Sequence, residues 1–140
     1  MMEERIVGAP DVVGAILGGL VFVVVMGLLR EPTRRRFNAI FVAGAGAAYL
    51  GSGLGLWEFV YTAIATLAAF KGLDSWRFIG VAWTLHVGWD VMHHLYGDPI
   101  IVLAPTSSFG CAVCDSVIAL WCFAGGPALW NRGHAPQSQG

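Results

Sequence analysis

Apolar residues run along this chain in long stretches separated by short polar or glycine-rich breaks, and the breaks define the elements. The first stretch covers residues 12–29 and stops at Arg30-Glu31-Pro32-Thr33-Arg34-Arg35-Arg36, which reads as a polar loop. The second covers residues 37–70 without a charge other than Glu58. As one helix it would be about 51 Å long, against a bilayer hydrocarbon core of about 30 Å. It has to break, and Gly51-Ser52-Gly53-Leu54-Gly55 is the place, because glycines interrupt helices. The pattern therefore predicts helices over 37–50 and 56–70, both short and rich in the small residues that let membrane helices pack closely. Residues 71–77 form a loop, residues 78–96 a fourth helix ended by Gly97-Asp98-Pro99, and residues 108–123 a fifth after an apolar connector.

Composition sharpens this into a membrane protein. Of the 140 residues 56% are hydrophobic and only 12% charged, with a mean hydropathy of +0.67. Soluble domains run at about a quarter charged. The expectation is a single all-α domain over residues 1–130, a polytopic membrane bundle of about five transmembrane helices, followed by a polar, disordered tail over residues 131–140 that includes His134. The N-terminus, Met1-Met2-Glu3-Glu4-Arg5, carries acids where a signal peptide has a basic region, so the first helix is expected to be retained. No basic face with interleaved aromatics speaks for nucleic acid. The expected partner is the lipid bilayer, with a second copy or a membrane subunit as a further association and a small-molecule or lipid substrate left open.

The formal charge of −1 says little, but its distribution says more. Five spans put Arg30, Arg34, Arg35, Arg36, Lys71, Arg77 and Arg132 on one side and only Arg5 on the other. The positive-inside rule then places the N-terminus outside and the C-terminus in the cytoplasm, as a multi-pass protein of the cell's inner membrane. Four spans would split the basic loops between the two sides, which is a worse arrangement.

Orientation gathers the chemistry into one leaflet. The fourth helix carries His86-Val87-Gly88-Trp89-Asp90-Val91-Met92-His93-His94 in its outer half. With about 100° per residue, His86, Asp90 and His93 fall within roughly 60° of one another, and His94 lies beside Asp90. Cys111, Cys114 and Asp115 occupy the outer half of the fifth helix, Glu58 the outer end of the third and Asp11 that of the first. Ionisable groups inside a membrane are expensive and mark functional sites by default. Imidazole with carboxylate suits zinc or iron, and an open position would permit hydrolysis or oxidation. One helix face cannot complete such a shell, because residues seven apart are separated by about 10 Å along the axis. The metal candidates are therefore His86, Asp90, His93 and His94, with Cys111, Cys114 and Asp115 from another helix; Asp90, Glu58, Cys111 and Cys114 are the candidates for catalysis.

Each of these has a plainer reading. The stripe can be a hydrogen-bonded network holding helices together. Cys111-Ala112-Val113-Cys114 at a helix start can be a thiol redox pair serving a quinone, although the third cysteine, Cys122, fits packing and leaves no second pair for a relay. Glu58 can accept protons, ligate, reach the interface, or bond to Tyr61 or a neighbouring helix. Pro105-Thr106-Ser107-Ser108 reads as a helix entry with capping hydroxyls, in preference to a nucleophilic serine near His and Asp, which no flanking pattern supports. Trp57, Trp76 and Trp130 fall near span ends as interfacial anchors, while Trp83 projects near His86 and either shields the site or packs.

Phe37-Asn38-Ala39-Ile40-Phe41, Gly55-Leu56-Trp57-Glu58-Phe59, Leu85 through Gly97 with its Trp89-Asp90 and His93-His94 pairs, and Pro105 through Asp115 are similar to a family of small bacterial integral membrane proteins classed as a domain of unknown function. The resemblance spans residues 37–121 and implies a multi-span membrane protein, with no activity or site residue to carry over. Histidine-rich membrane hydroxylases and desaturases need more histidines than the spans hold here. Membrane hydrolases built on Ser, Asp and three His distribute those histidines over more helices.

Overall fold

The computed structural model describes residues 6–130, so the tail over 131–140 and His134 lie outside the described residues. Within them the chain forms five α-helices and no strand: α1 (Ala9–Met26), α2 (Thr33–Ala47), α3 (Leu56–Gly72), α4 (Trp76–Tyr96) and α5 (Ser107–Phe123). The apolar blocks thus become helices in the expected order, with shifted starts. Helix α1 begins earlier because Pro10 sits in the first turn, where its missing N–H is not needed, and Asp11 accepts the Gly8 N–H at 2.8 Å.

The arginine cluster is the larger correction. Arg34, Arg35 and Arg36 stand in the first turn of α2 rather than in a loop. Basic side chains there oppose the helix dipole, but these are long enough to reach the carboxyl ends of other helices. Arg34 Nη1 donates to the Leu29 carbonyl at 3.0 Å and Nη2 pairs with Glu31 at 3.3 Å, while Arg35 Nε donates to the Leu73 carbonyl at 3.1 Å. Carbonyls left over at helix ends are satisfied in this way.

The break between α2 and α3 falls where the glycines stand. Gly51, Gly53 and Gly55 have φ of 89°, 96° and 61°, a region that side chains with a Cβ rarely adopt. At the entry to α5 the hydroxyls do something other than cap. Thr106 makes no side-chain cap bond; Ser107 Oγ instead accepts the Ile101 N–H at 3.0 Å and Ser108 Oγ the Ile100 N–H at 3.1 Å. They fasten the connector, residues 97–106, to the helix.

The helices run alternately up and down. At one end the Arg35–Leu73 bond, the Trp76–Glu31 bond of 3.0 Å and the Trp76–Trp121 contact draw the α1–α2 turn, the α3–α4 turn and the last turn of α5 together. Every described lysine and arginine (Arg30, Arg34, Arg35, Arg36, Lys71 and Arg77) belongs to this basic end. At the other, the Asp98 N–H donates to the Ser52 carbonyl at 2.9 Å and joins the glycine break to the connector. Helix α4 is central, packed against α2, α3 and α5; α1 leans on α5, with Phe22 touching Phe41 and Trp83. The α1–α5 approach is close because residue 19 is glycine: a Cβ there would stand 2.9 Å from the Cys114 carbonyl oxygen and from Val117.

Polar groups share the interior with an apolar core. Val42, Ile79, Trp83, Ile118 and Cys122 form part of an apolar core, yet Asn38, Glu58, His86, Asp90, His93, Ser108 and Asp115 are buried as well. The exterior is lined with large apolar side chains, including Val13, Leu17, Leu20 and Val21 on α1 and Leu56, Phe59, Leu67 and Phe70 on α3. Helix α1 is long and apolar enough to cross a membrane, and it is the one described helix that is.

Candidate functional site

The site is built where α4 faces α5. His86 and Asp90 are one turn apart on α4, so their side chains share a face, and Asp115 on α5 meets them from across the helix pair. His86 Nε2 lies 3.6 Å from Asp90 Oδ1 and 3.5 Å from Asp115 Oδ2. One ligand atom from each of the three residues falls within 4.8 Å of the other two, the arrangement among the described residues suited to a shared ion. All three residues are buried.

Two tyrosines fix the ligand atoms. Tyr61 Oη is 2.8 Å from His86 Nδ1, which orients the ring and leaves Nε2 facing the acids. Tyr49 Oη donates to Asp90 Oδ1 at 2.6 Å and lies 2.9 Å from Ser108 Oγ. The other Asp90 oxygen, Oδ2, is buried and receives no backbone N–H and no Ser, Thr or Tyr hydroxyl. The Asp90 and Asp115 carboxyls are within hydrogen-bonding reach of each other. Two adjacent buried carboxyls with a single imidazole form a site that a shared proton or a divalent cation balances.

The spacing fits a metal. Ligand atoms bound at about 2.1 Å in a tetrahedral shell stand about 3.4 Å apart. The two separations from His86 Nε2, 3.5 and 3.6 Å, lie close to that value. The Tyr61–His86 bond supplies the outer partner that ligating histidines require on their second nitrogen. Aromatic rings close the surroundings: Trp83 stands edge-on to His86 at 5.8 Å, and Trp89 stacks on Tyr61 at 4.5 Å.

The remaining residues singled out in the sequence have other surroundings. His93 donates from Nδ1 to the Trp89 carbonyl at 3.1 Å, stacks on Tyr49 at 4.0 Å, and places Nε2 4.0 Å from Glu58 Oε1. Glu58 accepts the Gly51 N–H at 2.5 Å and the Leu54 N–H at 2.9 Å, which ties its carboxylate to the glycine break. His94, half-buried, rests against Phe109 at 5.5 Å. Cys111 and Cys114 are half-buried thiols on α5 beside the acids, and Cys114 Sγ is directed toward Gly18 of α1. Neither sulfur joins the group of ligand atoms within 4.8 Å.

Tyr49, Tyr61 and Ser108 were not singled out as site residues by the sequence. Tyr61 had a faint signal, since it follows Glu58 by three positions and shares its helix face. Tyr49 had almost none.

Residues 10–128 match the family of unknown function DUF6010. The chain belongs to that family. No curated protein and no solved structure matches it. The matched region contains all five helices but for the first residue of α1, and every residue of the His86, Asp90 and Asp115 site with its two tyrosines.

Proposed function

We propose that this DUF6010 member is a multi-pass protein of the inner membrane that binds a divalent metal ion, zinc or iron, through His86, Asp90 and Asp115 in the outer half of the bilayer. The observation that carries the metal is the convergence of three ligand atoms from two helices within 4.8 Å, two of them from buried carboxyls set against each other. The membrane reading is supported by the many large apolar side chains on the exterior and by the gathering of the described basic residues at one end, which the positive-inside rule assigns to the cytoplasm. Helices α2 and α3 are short and α4 carries the buried polar stripe, so neither length nor apolarity alone marks them as spans. A metal with three protein ligands keeps an open position and supplies Lewis-acid polarisation to whatever small molecule or lipid enters.

Two experiments test this. Wild type reconstituted with Zn²⁺ or Fe²⁺ in detergent is expected to retain about one ion per chain, and Asp115→Asn to retain none; a wild type that holds no stoichiometric metal removes the reading. Cysteines introduced at Ser52 and Ser75, in a background lacking the native ones, are expected to label from opposite sides of the membrane. Labelling from the same side would end the proposed topology.

A thiol redox function is the second reading, because Cys111 and Cys114 stand one turn apart on α5 beside Asp115. Such a spacing is compatible with disulfide formation. Persistent full reduction of both thiols in membranes, whatever the quinone pool, would count against it. If substitutions at Asp90 and His93 change stability alone, with no loss of metal or activity, the polar cluster is structural, as in a transporter or accessory subunit.

A further inference from the structure

We infer that Tyr49 is the positioning residue of this site, and that through it the order of the connector over residues 97–106 is coupled to whether the site is occupied. The inference rests on the metal reading above. Proton counting sets out the path. Ser108 Oγ accepts the Ile100 N–H at 3.1 Å, so its own single proton is available to Tyr49 Oη, 2.9 Å away. The single phenolic proton of Tyr49 then goes to Asp90 Oδ1 at 2.6 Å. A continuous chain of donors runs from the backbone of the connector to a ligand of the proposed metal.

Tyr49, Ser108 and Asp90 are all 0% exposed, so bulk water does not replace a missing link. The Tyr49 bond fixes the plane of the Asp90 carboxylate, keeping Oδ1 3.6 Å from His86 Nε2 and leaving Oδ2 without a competing backbone N–H or Ser, Thr or Tyr hydroxyl. The middle of the connector, Ile101, Val102 and Leu103, is exposed, Leu103 to 94%; Gly97 and Asp98 hold its start through the His93 and Ser52 carbonyls, and the two serines hold Ile100 and Ile101. Movement of the Asp90 carboxylate toward an ion is therefore felt at Ile100.

Tyr49→Phe is a clean probe, because the ring that stacks on His93 at 4.0 Å stays and only the hydroxyl goes. The readouts are hydrogen exchange of residues 97–106 in the full-length protein, without metal and with Co²⁺, together with Co²⁺ affinity and its visible absorption. In the metal-free state Tyr49→Phe and Ser108→Ala are expected to speed exchange around Ile100. Co²⁺ is expected to slow that exchange in wild type and not in Tyr49→Phe. The phenylalanine variant should bind Co²⁺ about 10- to 100-fold more weakly, the range for loss of an outer partner, with an altered spectrum. Unchanged exchange in both metal-free variants, or wild-type Co²⁺ affinity and spectrum in Tyr49→Phe, overturns the inference while leaving the metal reading in place. A wild type that takes up no Co²⁺ ends the metal reading and the coupling, whereas the metal-free exchange still reports whether Tyr49 and Ser108 tether the connector.

Discussion

Glu58 and Asp90 are both buried acids at the same end of the bundle, and their surroundings differ in kind. Glu58 is served by the chain around it: the amides of Gly51 and Leu54, seven and four residues away, converge on its two oxygens. Asp90 has one hydroxyl on one oxygen, none on the other, and a second acid beside it. A carboxylate met by local amides belongs to the fold, since it satisfies donors that a turn leaves exposed. One set against another acid, with an imidazole beside both, is balanced by a shared proton or by a cation. The same residue class thus holds a loop in one place and frames a site in the other.

The sharpest way to break this contrast is to neutralise each acid in turn. Asp90→Asn is expected to lower metal affinity by more than the about 10- to 100-fold typical of an outer partner, measured by equilibrium competition, with unfolding of the metal-free protein unchanged or shifted upward. Glu58→Ala should do the reverse: metal binding kept in the folded fraction, and stability reduced by about 3 kcal/mol as two amides lose their acceptor. A metal loss in Glu58→Ala equal to that of Asp90→Asn would erase the distinction. A smaller effect is expected for Tyr61→Phe, about tenfold in metal affinity, because His86 keeps its position but loses the partner on Nδ1. The smallest concerns the thiols. Cys111→Ala and Cys114→Ala should leave metal content as in wild type, and depletion in either would draw sulfur into the shell.

Much of the fold was legible because apolar blocks and glycine breaks act locally. Gly51, Gly53 and Gly55 stand in backbone conformations that their sequence pattern already implied. The start of α2 was not legible, since three arginines read as a loop until the reach of Arg34 to Leu29 and of Arg35 to Leu73 is known. Within the site, the one-turn spacing of His86 and Asp90 is written in the sequence, and charge asymmetry placed Asp115 in the same half. The tyrosines escaped because their partners are distant in sequence, 41 residues for Tyr49 with Asp90 and 25 for Tyr61 with His86. A tyrosine in an apolar helix looks like packing until its hydroxyl finds a partner. Hydropathy also misleads in one direction: α1, the most lipid-like helix, is the most peripheral, whereas α4 is polar because it carries the site.

The central claim is that His86, Asp90 and Asp115 together hold one metal ion. X-ray absorption of the metal-loaded wild-type protein addresses it most directly. A shell of nitrogen and oxygen at about 2.0–2.2 Å with one imidazole is expected, lost in Asp90→Asn. A sulfur shell at about 2.3 Å, or no bound metal at all, would contradict it.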